Sequence, residues 1–248
     1  MLQIAVTTRF LIWTTQRTGS TVFWRTLDRH PEIEGHGEMF LPTMTREDSY
    51  PAFVARSAWA KLEARAAPAR SMRRYLTELY SAPSGTSAVG FKLMYNHLTP
   101  PLASWIAREH PKGIHLVRRN LLKLMISRVA AEQRGLYHLE PGEEPPSDRV
   151  TLDPATLLTR LEKIAAEFER GSAFAETLGA LPVVYEDLVA QRDATYARVF
   201  DFLEVTPSIP APEPLRKINP DSLSELVANL DEVKETLRGS AFESHLEP

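Results

Sequence analysis

The chain has no cysteine, which excludes a disulfide framework, a thiolate nucleophile and any cysteine-ligated zinc or iron–sulfur centre. It has no apolar run near the roughly 18 residues that a membrane span needs. Its N-terminus, MLQIAVTTRFLIWTTQR, is short of charge and lacks a small-residue cleavage site, so no signal peptide is expected and the default compartment is the cytoplasm. An excess of one charge is missing too: 29 basic and 32 acidic side chains leave a formal net charge of −3. No general basic field draws nucleic acid or anionic lipid, so any anion site must be local. The 7 histidines are scattered, and His36-Gly37-Glu38 alone does not make a metal site, so no metal is expected. Internal repeats and Asn-Gly hairpin signals are also lacking.

What is present suits a globular core: 248 residues, 43% apolar and 25% charged, long enough to need no staples. Short runs rich in β-formers predict strands at 10–15, 88–94, 113–117 and 181–185. Periodic apolar positions predict helices at 20–28, 52–66, 69–79, 101–109, 121–133, 154–178, 194–203 and 222–237. Residues 31–49 carry no period and read as loop, and 135–148, with the run EPGEEPP, reads as a surface loop. Strands alternating with helices imply a central parallel sheet covered on both faces, one three-layer α/β domain over residues 1–248.

The first strand runs into Gln16-Arg17-Thr18-Gly19 and then into a helix opening with Ser20 and Thr21. Backbone N–H groups at such a helix start, with the helix dipole, favour an anion. Arg17 adds a full positive charge, and Ser20 and Thr21 add hydroxyl donors. The segment lacks the first glycine and the lysine of a nucleotide triphosphatase loop. It also admits a plainer reading, a strand-to-helix turn with Ser20 as N-cap. After the third strand comes VRRNLLKLMIS, with Arg119 at the strand end and Ser127 on the next helix. Parallel strands put both segments on one sheet edge, where such folds bind ligands. Arg119 and Ser127 converge on one anion only if another element approaches them.

TTQRTGST resembles the 5′-phosphosulfate loop of sulfotransferases that use 3′-phosphoadenosine 5′-phosphosulfate (PAPS), and VRRNLLKLMIS resembles their 3′-phosphate motif. GHGEMF at 35–40, VGFKLMYNHL at 89–98, VVYEDLV at 183–189 and the tail LRKINPDSLSELVANLDEVKETLRG extend the likeness over about residues 9–240. These segments look more like the bacterial carbohydrate-type enzymes, the Nod-factor and trehalose sulfotransferases, than the animal cytosolic ones. The latter carry lysine where this chain has Arg17, and a KTH strand motif where it reads Lys92-Leu93-Met94.

The resemblance implies transfer of a sulfuryl group from PAPS to a hydroxyl on a small molecule, sugar or lipid, leaving PAP and needing no metal. Arg17 would sit on the leaving 5′-phosphate oxygen, with backbone N–H groups of Thr18, Gly19, Ser20 and Thr21 completing a P-loop-like cradle. Arg119 and Ser127 would hold the 3′-phosphate, with Arg216, Lys217 and Asn219 closing over it. Glu38 is the first candidate for general base and His36 the reserve; in an extended segment the two point to the same side. Lys92 is read either as a contact to the sulfuryl group or as a structural ion-pair partner. His97 reads as a packing or capping residue, Tyr185-Glu186-Asp187 as support for the loop, and Trp13, Trp24, Trp59 and Trp105 as core or pocket wall. Two other readings remain at this point: a kinase-like protein with an unusual loop, and a non-catalytic PAP- or PAPS-binding module.

Overall fold

The computed structural model describes residues 7–81, 86–136, 146, 148–208, 210 and 222–247. In chain order the elements are β1 (Thr8–Thr14), α1 (Ser20–Asp28), β2 (Ile33–Glu38), α2 (Tyr50–Ala55), α3 (Ala58–Ala66), α4 (Pro68–Leu79) and β3 (Ala88–Met94). A 3₁₀ turn (Tyr95–His97), α5 (Pro100–Glu109), β4 (Lys112–Val117), α6 (Leu121–Arg134), α7 (Pro154–Thr177), β5 (Leu181–Val184), α8 (Tyr185–Ala190) and α9 (Arg192–Leu203) follow. The last are α10 (Leu223–Leu226), α11 (Leu230–Leu237) and a 3₁₀ turn at Glu243–Leu246. The chain divides into two compact units, the first being Met1–Thr15, Gly19–Val117 and Gly171–Pro212, the second Gln16–Thr18, Arg118–Arg170 and Glu213–Pro248.

The first unit holds the expected parallel sheet, five strands in the order β2-β3-β1-β4-β5. Alternation along β1 sends Phe10 and Ile12 to one face and Leu11 and Trp13 to the other. The first pair packs with Phe23 and Leu27 of α1 and Tyr196, Val199 and Phe200 of α9. The second packs with Phe53, Met72, Tyr75 and Leu76 of α2 and α4, and with Trp105 of α5. Burying apolar side chains on both faces, at roughly 1.5–3 kcal/mol per large side chain, is what holds β1 at the centre.

The loop expected over 31–49 is corrected: residues 33–38 form the edge strand β2, paired to β3. Its sequence, IEGHGE, has two glycines and little β propensity, so pairing along β3 decides the matter rather than local preference. The single helix expected at 52–66 is two, because Ser57 breaks it and caps α3 by accepting from the Ala60 N–H at 3.0 Å. Helix α8, right after β5, has no counterpart among the expected elements.

The second unit is helical. Leu122, Met125, Ile126 and Val129 of α6 pack with Leu157, Leu161 and Ile164 of α7 and with Val233 and Leu237 of α11. The helix expected over 222–237 is interrupted at Val227, which bridges to Val150 in parallel register. Asn229 then grips Leu152 through both its backbone groups, at 3.1 and 2.7 Å. Most of the 135–148 loop lies outside the described residues. Among the described residues no helix is long and apolar enough to cross a membrane.

One buried titratable group sets a pH limit on the first unit. His115 of β4 is in register with Trp13 and only 7% exposed, and the Tyr95 hydroxyl lies 2.6 Å from its Nε2. Burial lowers its pKa to about 4. The folded value lies below the unfolded one near 6.5, so the neutral ring stabilises the fold fully above pH 6.5 and that contribution is lost as pH falls toward 4. Wild type should lose about 2 kcal/mol between pH 7 and pH 5 that His115→Gln does not lose, measured by urea unfolding at both pH values. Parallel losses in the two proteins would show that His115 is not the titrating group.

Candidate active site

In the first unit the site starts at α1. Its N-cap is Gly19, at φ 80°, with no side-chain cap, so the serine N-cap allowed by the sequence is not formed. The first intrahelical bond is the Phe23 N–H to the Gly19 carbonyl. The preceding N–H groups therefore stand at the positive end of the helix dipole, and Gly19 offers them no side-chain acceptor. Glycine is required at position 19 twice over: a left-handed backbone suits it, and a Cβ there would lie 2.6 Å from the Tyr185 ring. Tyr185, read from sequence as loop support, is in that place.

Beside α1, the Lys92 ammonium lies 3.4 Å from the Thr21 hydroxyl and 2.8 Å from a Glu38 carboxylate oxygen. Lys92 is 3% exposed and Glu38 keeps 22% of its side chain in contact with solvent. Burial lowers the Lys92 pKa, and the Glu38 charge opposes that. Hydroxyl, cation and carboxylate thus stand in a row at the C-terminal edge of the sheet, leading from the helix N-terminus to an accessible carboxylate.

A β-bulge makes this row. Along β2, Gly35 pairs with Gly90 and His36 with Phe91, yet Glu38 pairs with Lys92, so Gly37 is an extra residue. The bulge turns Glu38 onto the Lys92 face. His36 stays on the opposite face, its ring between Glu34 at 3.4 Å and Asp48 at 3.3 Å. The expectation that His36 and Glu38 share a side is therefore corrected. In place of His36 the structure brings up His97, in the turn after β3. It is 9% exposed, and its Nδ1 has no hydrogen-bond partner among the described residues. Burial lowers its pKa; the nearby Glu38 charge opposes that and the Lys92 charge adds to it. No sequence signal marks His97, because its role depends on where the turn places it.

The second unit holds the loop cation. Arg17 is a non-glycine residue at φ 67°, a conformation costing on the order of 1 kcal/mol. Its Nε donates to the Ser127 hydroxyl at 2.9 Å, and Arg118 donates to its carbonyl at 3.4 Å. The loop arginine and the helix serine of the two sequence motifs thus meet directly. Arg118, not singled out from sequence, thus contacts the loop, and its neighbour Arg119 is exposed. Asn120 caps α6 by accepting from the Lys123 N–H at 2.9 Å, which fixes the helix carrying Ser127. Thr18 is fully buried. Arg216, Lys217 and Asn219 lie outside the described residues. No cluster of three or more metal-ligating side chains occurs among the described residues. Trp13 and Trp105 are core, as expected, whereas Trp59 is 63% exposed and walls nothing among the described residues.

Residues 10–209 match the family model described as Sulfotransferase family. No curated protein matches the chain. Among solved structures, a sulfotransferase from Alicyclobacillus acidocaldarius is similar at 15% identity and TM-score 0.52, over 98% of this chain and 95% of that one. The sulfotransferase domain from the curacin biosynthetic pathway is similar at 15% identity and TM-score 0.49, over 97% and 89%. A mouse sulfotransferase complexed with PAP is similar at 12% identity and TM-score 0.48, over 96% and 88%. At 15% identity the first of these likenesses, with its TM-score of 0.52, speaks to the fold alone.

Proposed function

The chain belongs to the sulfotransferase family, and from that premise we propose that it moves the sulfuryl group of PAPS to a hydroxyl acceptor, releasing PAP. The observation that carries the reading is the row Thr21, Lys92, Glu38 beside an uncapped helix N-terminus. It combines an anion cradle, a buried cation and an accessible carboxylate, the set that in-line transfer of a charged group to an alcohol calls for. The residues fit PAPS on their own chemistry: the first turn of α1 suits an anionic group, and Arg17 with Ser127 offers charged and neutral donors for phosphate.

In transfer, the acceptor oxygen bonds to sulfur as the bridging bond from sulfur to the 5′-phosphate oxygen breaks. Arg17 and the N–H groups from Thr18 to Thr21 stabilise the charge developing on the leaving oxygen. Lys92 neutralises the sulfuryl oxygens, and Glu38 takes the acceptor proton. Arg118, Arg119 and Ser127 recognise the 3′-phosphate, with Arg216, Lys217 and Asn219 assigned there by resemblance. The reading treats residues 1–248 as one sulfotransferase domain of the carbohydrate type, with a sugar, small-molecule or lipid hydroxyl as acceptor. His97 is a second choice for the base, favoured by its unpartnered Nδ1.

The experiment that tests the function is mass spectrometry of products after incubation with PAPS and an extract of the source cells. A sulfated product that appears only with both PAPS and enzyme supports it, and PAPS consumed with no sulfated product sinks it. A separate measurement tests the 3′-phosphate assignment. PAP should bind more tightly than AMP, which lacks that phosphate, with EDTA present throughout. Charge-assisted bonds are worth about 1.5–3 kcal/mol each, so losing the phosphate should weaken binding by at least ten-fold. Equal affinity by calorimetry would remove Ser127 and its neighbouring arginines from nucleotide recognition.

A further inference from the structure

Outside this site, the α3–α4 hairpin carries an exposed apolar stripe set in positive charge. Trp59 is 63% and Leu62 55% exposed, the two largest values among the exposed large hydrophobic side chains of the described residues. They lie three apart on α3, with exposed Ala66 on the same stripe, while Ala60 and Glu63 turn to the protein. Residues 57–77 contain five cations, Lys61, Arg65, Arg70, Arg73 and Arg74, and one anion, Glu63. That anion is buried and ion-paired with Arg70 at 3.1 Å and Arg74 at 2.8 Å. Lys61, Arg65 and Arg73 are exposed and form no ion pair among the described residues. In a chain of net charge −3 this is a strong local departure.

We propose that the α3–α4 face docks on an anionic lipid bilayer, with Trp59 and Leu62 seated at the headgroup boundary and Lys61, Arg65 and Arg73 on the lipid phosphates and carboxylates. An amphipathic tryptophan beside cations on long apolar stems is the composition that settles at such a boundary. A convex helix side needs no complementary cavity in a fluid surface, whereas a protein partner would have to supply one. A second copy across a two-fold axis would bring the same cations face to face, which disfavours self-association here. The docking is peripheral and independent of the sulfotransfer reading, since it involves no nucleotide and none of the site residues.

The test is binding of the full chain to phosphatidylcholine vesicles with and without phosphatidylserine, at low and at raised salt. Binding should require phosphatidylserine and weaken with salt. Each cation near an anionic surface contributes roughly five-fold in partitioning, so K61E/R65E should lose on the order of 25-fold or more. W59S/L62S should lose roughly ten-fold or more while keeping its melting temperature, since both side chains are exposed. Brominated lipid should quench tryptophan emission in wild type, and W59F should remove most of that quenching. No binding to phosphatidylserine vesicles at low salt would overturn the proposal. So would binding indifferent to these variants, or a solution dimer that W59S dissolves. An acidic protein captured by the same face without any vesicle binding would likewise replace the lipid with a protein partner.

Discussion

Glu38→Gln should slow sulfuryl transfer by roughly 10²–10⁴-fold while PAP affinity stays close to wild type. Glutamine keeps the shape of the side chain and can still accept from Lys92, yet it cannot take the acceptor proton. Because Lys92 is almost wholly buried, the loss of its counter-charge has a structural side. The Glu38 charge opposes the lowering of the Lys92 pKa, so in the variant the ammonium is held less firmly. A buried hydrogen bond weakened in this way costs on the order of 1–3 kcal/mol, visible as a lower melting temperature. Rates are therefore compared well below the melting transition of the variant, where unfolding cannot mimic a chemical defect.

Two histidine variants divide the remaining possibilities. His36→Asn should leave turnover near wild type, because its ring is on the far face of β2 against Glu34 and Asp48. His97→Asn is the informative one. If it abolishes turnover while Glu38→Gln is active, the proton goes to His97 and the carbohydrate-type assignment of the base fails. If both variants are slow and the double variant is no slower than Glu38→Gln alone, His97 acts by positioning Glu38.

Much of this site was legible because its logic is local. Arg17, Gly19, Ser20 and Thr21 follow a strand of six consecutive β-favouring residues, and a hydroxyl-rich helix start after glycine is a pattern that favours an anion. Ser127 came into view through the resemblance of VRRNLLKLMIS to a 3′-phosphate motif, and the Arg17–Ser127 bond joins that segment to the loop after β1. What escaped the sequence depends on register. A strand such as IEGHGE has no hydrophobic alternation to declare it, and one extra residue at Gly37 exchanges which side chain faces the site. The same holds for His97, whose burial arises from the turn after β3, and for Arg118, whose contact with the Arg17 carbonyl no local pattern declares. Breaks at Ser57 and Val227 escaped because both interrupt a continuous helical pattern with a cap or a bridge.

Arg17→Ala should lower the single-turnover rate by about 10²–10³-fold, and more than it weakens PAP binding. The charge on the bridging 5′ oxygen is small in bound PAPS and largest as the bond to sulfur breaks, so a cation aimed there favours the transition state over the ground state. Position 17 has a left-handed backbone at φ 67°, and arginine and alanine carry that strain about equally, so the comparison isolates the side chain. Arg17→Lys should rescue only in part. It restores the charge but loses the planar guanidinium whose Nε now donates to Ser127. That bond makes a further demand: Ser127→Ala and Arg17→Ala should not be additive. Residues that share a hydrogen bond usually show coupling of roughly 0.5–3 kcal/mol in a double-mutant cycle. Wild-type single-turnover rates in Arg17→Ala would reduce the residue to a ground-state contact. Full additivity with Ser127→Ala would mean that the bond between them plays no part in turnover.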